Sequence, residues 1–210
     1  MAQYETEEQQ VEAIKTFWKE NGKAIILGAI IGFGGIFGWD YYKDHQQTQS
    51  EQASAQYAEA VDSIVAGSND QAQFVEKAEA IKQNFSTSSY AALAAMKLAE
   101  LEVSNENLDA AVEQLRWVVD QGNETFTPVA QVRLARVLLA QEKYDAAISQ
   151  ADSVTAEAYQ SSALLVKGEA QLAKGNREAA KNAFIEARDA SAAAVHPLLA
   201  LRLSEFGIEK

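Results

Sequence analysis

The 210-residue sequence contains no cysteine, which removes disulfides, thiolate metal sites and cysteine nucleophiles together. Histidine and proline are scarce, with two of each. His45 and His196 stand far apart with no acidic pair beside them, so imidazole acid–base chemistry has no setting here. Basic residues are the minority, 18 Lys+Arg against 30 Asp+Glu for a net charge of −12 at pH 7. Nucleic acid phosphates demand a concentrated cationic face, and none is visible. No dinucleotide-binding glycine motif before a helix, no P-loop, no G-x-S-x-G and no H-E-x-x-H occurs. These absences predict a protein that is not an enzyme, with no cofactor, no metal, no small-molecule substrate and no nucleic acid partner. The 48% of hydrophobic residues is nevertheless enough for a packed core.

What is present begins with an uneven glycine distribution. Six of the 11 glycines lie at Gly22, Gly28, Gly32, Gly34, Gly35 and Gly38. Between Lys23 and Asp40 run 16 residues, AIILGAIIGFGGIFGW, with no charge and no polar side chain but the Trp39 indole. As a helix they extend about 24 Å, and Lys23 at one end with Trp39, Tyr41 and Tyr42 at the other completes a membrane span over residues 23–42. A cleaved signal peptide needs a basic leader, whereas residues 1–22 carry Glu5, Glu7, Glu8, Glu12 and Glu20 against Lys15 and Lys19. A soluble core helix would lose about 1 kcal/mol at each glycine. Lys15, Lys19 and Lys23 precede the span and Lys43 alone follows closely, which predicts a cytoplasmic N-terminus and, in a bacterium, a periplasmic C-terminal domain at the inner membrane. Gly28 with Gly32, and Gly34 with Gly38, offer small faces for another membrane helix.

Residues 1–22 form a cytoplasmic amphipathic arm in which Val11, Ile14, Phe17 and Trp18 share one side, with Thr6 as the expected N-cap. Residues 43–56, KDHQQTQSEQASAQ, carry helix formers but no apolar stripe. They predict a polar helical stalk that cannot be buried. Apolar spacing returns at Tyr57, Val61, Ile64 and Val65, and Gly67-Ser68-Asn69 should close that helix. A second helix is expected near Asp70–Asn84.

From there the sequence repeats itself. Asn107-Leu108-Asp109-Ala110-Ala111, Lys143-Tyr144-Asp145-Ala146-Ala147 and Asn176-Arg177-Glu178-Ala179-Ala180 share an acidic-Ala-Ala core at spacings of 36 and 33. Each opens a helix and follows another apolar-periodic one. Periods near 34 with this helix–turn–helix unit predict tetratricopeptide-type repeats over residues 57–210. A last helix opening at His196-Pro197-Leu198 would cap the stack. The fold class is therefore all-α, a single N-terminal transmembrane helix followed by a tetratricopeptide-like solenoid.

The first helices of such pairs line a concave face. Aligning the units places Met96, Val132, Leu165 and Leu201 at one equivalent position, Leu93, Val129 and Leu198 at another, and Val103, Leu139 and Leu172 at a third. Glu100, Arg136 and Glu169 share a fourth. Leu93, Met96, Glu100, Val132, Arg136, Leu139, Leu165 and Glu169 are thus candidates for binding a partner segment. Packing of the same side chains on neighbouring helices is the competing reading.

The layout also resembles a known family. The opening Tyr4-Glu5-Thr6-Glu7-Glu8-Gln9-Gln10-Val11-Glu12-Ala13-Ile14-Lys15, then Phe17-Trp18 and Glu20-Asn21-Gly22-Lys23-Ala24, the span ending Gly38-Trp39 and the stretch Arg133-Leu134-Ala135-Arg136-Val137 are similar to the YfgM-type ancillary subunit of the SecYEG translocon. The resemblance runs end to end. It implies a single-span inner-membrane protein with a periplasmic tetratricopeptide-like domain. It further implies association with SecYEG and with the membrane-anchored periplasmic chaperone PpiD, helping newly translocated proteins pass to periplasmic chaperones. Negative regulation of an envelope stress response through the cytoplasmic arm is the alternative role it carries.

Overall fold

A computed structural model describes residues 7–65, 70–191 and 196–208, with side chains from Gln10 onward. Among them are helices and no strand, in the order α1 (Glu7–Val65), α2 (Gln71–Asn84), α3 (Ser89–Ser104), α4 (Leu108–Asp120), α5 (Thr127–Ala140), α6 (Tyr144–Asp152), α7 (Glu157–Ala173), α8 (Arg177–Asp189) and α9 (Pro197–Glu205). Thr6 and Gly67-Ser68-Asn69, expected as helix boundaries, lie outside the described residues. The chain divides between Gln49 and Ser50 into two units.

The first unit is the front of α1. It holds the chain's one stretch, among the described residues, that is long and apolar enough to cross a membrane. Ile30, Ile31, Phe33, Ile36 and Phe37 all project outward, exposed. Such a contiguous apolar surface has no place in water and fits a lipid surround. Trp39 stacks on Tyr42 with ring centroids 6.0 Å apart, and Tyr42 Oη accepts from Gln46 Nε2 at 2.8 Å, so the aromatic end of the span is also its polar end.

The second unit stacks helices in antiparallel pairs, and the repeat signature explains how. The second alanine of each pentapeptide, Ala111, Ala147 and Ala180, is fully buried. A side chain this small lets the paired helices approach closely. The turn before each pentapeptide places one residue at positive φ, Glu106 at 63°, Glu142 at 60° and Gly175 at 83°. This left-handed residue permits the six-to-one closing bonds in which Asn107, Lys143 and Asn176 N–H donate to the carbonyls of Glu102, Leu138 and Gln171 at 2.8, 3.0 and 2.9 Å. The acidic residue of the signature reaches forward one repeat. Asp109 Oδ1 accepts from Gln141 Nε2 at 2.8 Å and Lys143 Nζ at 3.3 Å, and Asp145 pairs with Lys174. These exposed ties set register and contribute little energy.

Helix starts follow their local chemistry. Asp70 caps α2 by accepting from Gln73 N–H at 3.0 Å, and Ser88 caps α3 by accepting from Ala91 N–H at 3.1 Å. His196 Nδ1 accepts from Leu198 N–H at 3.2 Å ahead of Pro197, which gives that histidine a capping task.

One expectation needs correction. The polar stretch 43–56 was expected to stay unburied, yet Ala53 is fully buried in a cluster with Ala60, Phe74, Ile81 and Leu98. Its neighbours are polar, but the alanine methyl joins Ala60, Tyr57 and Ile64 in seating this part of α1 on the packed helices, within the second unit that runs from Ser50.

Candidate functional site

The successive first helices of the pairs do not meet in the same way. On the forward side of α5, Val132 and Ala135 pack with Ala163 and Val166 of α7 in one buried cluster, and the two helices lie in direct contact. On its other side α5 is held to α3 chiefly through α4. A cavity of about 350 Å³ opens there. Leu115 of α4, Met96 and Ala99 of α3 and Val137 of α5 give it an apolar interior, and Val103, Arg133 and Arg136 line it toward solvent. Its volume falls in the range of ligand pockets, roughly 300–1,000 Å³.

Repeat alignment explains the opening. Arg133 is the counterpart of Val166, 33 positions on, and of Arg202 in α9, 36 positions further. Val166 is buried against α5. Arg202 closes its own junction with a two-pronged pair to Glu169, Nε to Oε1 at 2.7 Å and Nη2 to Oε2 at 3.1 Å, and also reaches Glu205 at 3.0 Å. The hydrogen bonds that Arg202 donates to Glu169, then Glu205, raise its pKa and keep the guanidinium charged. Arg133 has neither arrangement. The carboxylate placed to receive it, Glu100, is taken by Lys97 Nζ at 2.7 Å. Arg133 and Arg136 are exposed and pair with no carboxylate among the described residues.

The candidates from the sequence therefore separate. Met96, Glu100 and Arg136 come together at the cavity. Leu93 and Leu139 are partly buried against the central cluster. Val132 and Leu165, aligned with Met96 and expected on the groove floor, are 3% and 5% exposed inside interhelical clusters and present nothing to a partner. Val132 falls where α7 packs directly on α5, and Leu165 lies in a cluster with Ala180 and Phe184 of α8 and Leu199 of α9. Glu169 is occupied by Arg202. Leu201, the last member of that set, is 54% exposed on α9. Sequence reasoning missed Arg133, Leu115 and Val137, and the signal for Arg133 was an arginine where the next repeat carries a core valine.

A second recess of about 210 Å³ lies on the other side of Glu100, where Ile64, Phe74 and Lys97 line it. Nearby, Tyr57 packs on Tyr90 at 5.9 Å, and burial raises its phenol pKa against the opposing pull of Lys97. In the first unit Val11, Ile14, Phe17 and Trp18 are all exposed, and the Trp18 indole folds back over Gly22. Gly28, Gly32, Gly34 and Gly38 have open space where a Cβ would project.

An exposed apolar helix followed by stacked helix–turn–helix pairs defines a membrane-spanning protein of the tetratricopeptide class. The profile of the tetratricopeptide repeat-like domain matches residues 15–207. The chain is 36% identical over 182 residues to the ancillary SecYEG translocon subunit of Escherichia coli (strain K12), covering 86% of each chain. The protein of the same name from Aggregatibacter actinomycetemcomitans is 36% identical over 201 residues, 95% of this chain and 97% of that one, and the one from Haemophilus influenzae is 32% identical over the same shares. The chain belongs to the family of ancillary SecYEG translocon subunits. No solved structure matches it significantly.

Proposed function

We propose that this chain is a non-enzymatic ancillary subunit of the SecYEG translocon that holds a membrane-anchored periplasmic chaperone of the PpiD kind and helps pass newly translocated proteins onward. The observation that carries the reading is the shared name of relatives covering nearly the whole chain, span and repeat domain alike. In this reading residues 1–22 are cytoplasmic, residues 23–42 cross the inner membrane, and the repeat domain stands in the periplasm. The charge bias of Lys15, Lys19 and Lys23 against Lys43 supports that orientation. The glycine faces of the span suit contact with a translocon helix. The exposed Val11, Ile14, Phe17 and Trp18 favour a second role, a regulatory partner bound by the arm.

Co-purification from membranes in mild detergent tests the main reading. SecYEG should accompany the full chain and be lost when residues 24–39 are replaced by an unrelated apolar span; a full chain that never recovers SecYEG contradicts it. Because the chain has no cysteine, Lys15→Cys and Glu51→Cys give clean labelling sites. A reagent confined to the periplasm should modify only Glu51→Cys, and modification of Lys15→Cys would reverse the orientation.

A further inference from the structure

The cavity between α3 and α5 combines two properties that seldom meet in so acidic a chain. Its interior is apolar, from Met96 and Leu115, and its margin carries two guanidiniums, Arg133 and Arg136, that no carboxylate neutralises among the described residues. The nearby Glu100 is already balanced by Lys97, so the uncompensated charge at the cavity is positive although the chain's net charge is −12. Several other cations of the repeat domain are engaged across or along helices: Lys82 by Glu79, Lys143 by Asp109, Lys167 by Asp152, Lys174 by Asp145 and Arg202 by Glu169. Val103 stays 42% exposed at the same opening.

An apolar recess with paired arginines recognises one kind of segment. Arginine forks bind carboxylates in a planar, two-bonded geometry, and methionine with leucine accommodates an aliphatic or aromatic side chain. We infer that the α3–α5 cavity docks a protein segment in which bulky apolar residues are flanked by aspartate or glutamate. The inference rests on the reading of this chain as a translocon subunit that holds other proteins, and it names the class of segment held. The apolar side chains would fill the space over Leu115 left where α5 does not pack directly on α3, and the carboxylates would take the place that Glu169 has beside Arg202. A docked segment thus completes the one junction the chain leaves open between α3 and α7.

The test uses the full chain in detergent micelles and a fluorescein-labelled peptide, Gly-Asp-Leu-Leu-Asp-Gly, with versions carrying Asn or Lys in place of Asp. Fluorescence anisotropy should show the acidic peptide binding about ten-fold tighter than the Asn version, with the Lys version weakest. Arg133→Gln combined with Arg136→Gln should erase that discrimination, while Arg116→Gln, an exposed arginine outside the cavity, retains it. Helical circular dichroism establishes that each variant is folded. Equal binding of the three peptides, preference for Lys, binding of none, or discrimination that survives in the double Gln variant each overturns the inference. SecYEG co-purification with the same double variant is read separately: its retention alongside a failed peptide result removes the docking inference alone, and its absence from the unaltered chain removes the functional reading.

Discussion

Two junctions flank α5, and they are built from equivalent positions to opposite ends. Toward α7, Val166 and Ala163 bury themselves against Val132 and Ala135. Toward α3, the counterpart of Val166 is Arg133, and the same geometry leaves a cavity of about 350 Å³. A third junction, between α7 and α9, carries an arginine at this position too, but there Glu169 receives it. The difference teaches that repeat architecture alone does not make a groove. One residue type at one repeat position decides whether two first helices close on each other, are sealed by an ion pair, or stay apart with free charge between them.

The largest effect falls beneath the sealed junction, at Phe184 of α8, which is fully buried over Gly168 of α7 in the cluster that also holds Leu199 and Leu203 of α9; a Cβ on that glycine would come within 2.3 Å of the ring. Phe184→Ala should cost about 4 kcal/mol in chemical denaturation, since a large aromatic leaves a cavity that a glycine neighbour cannot fill. Gly168→Ala should cost about 2 kcal/mol by overpacking the same contact.

The sealed junction is next in size. Arg202→Ala leaves Glu169, whose side chain is 18% exposed, without its two-pronged partner, and should cost about 2 kcal/mol. Double substitution with Glu169→Gln should recover part of that loss, measured as a coupling energy.

Sharpening the comparison means converting the open junction into a closed one. Arg133→Val restores the residue that α7 carries at the equivalent place, and should raise stability by about 1 kcal/mol while abolishing acidic-peptide binding. Unchanged stability with binding intact would mean that Arg133 does not control the opening. The smallest effect falls on the turns. Glu142→Gly relieves a side chain held at φ 60° and should stabilise the domain by about 0.5 kcal/mol, with no change in binding.

Much of this fold was legible in the sequence because local chemistry and tertiary packing agree. The acidic-Ala-Ala pentapeptides fix helix starts at Leu108, Tyr144 and Arg177, and their second alanines are buried as a close helix pair requires. Asp70 and His196-Pro197 announce helix starts through capping alone. The burial of Ala53 was hidden because polar neighbours mask one small apolar side chain, and the stripe that seats this turn of α1 emerges only with Ala60. The candidate site was half legible. Aligned repeats found Met96, Glu100 and Arg136, but alignment assumes that equivalent positions meet equivalent surroundings. Val132 and Leu165 broke that assumption, since they are enclosed by neighbouring helices, whereas Met96, itself only 8% exposed, lines the cavity. Arg133 shows that departures from the repeat can mark a site better than agreement with it does.

The most direct test of the account is site-specific photo-crosslinking in intact cells, with a probe at Val103 beside the open junction and another at its repeat counterpart Leu172. Mass spectrometry should find adducts from Val103 to acidic-apolar segments of other proteins, and none to such segments from Leu172. Adducts in equal number from both positions, or from Leu172 alone, would contradict the claim that the open α3–α5 junction is where this translocon-associated domain takes hold of its partner.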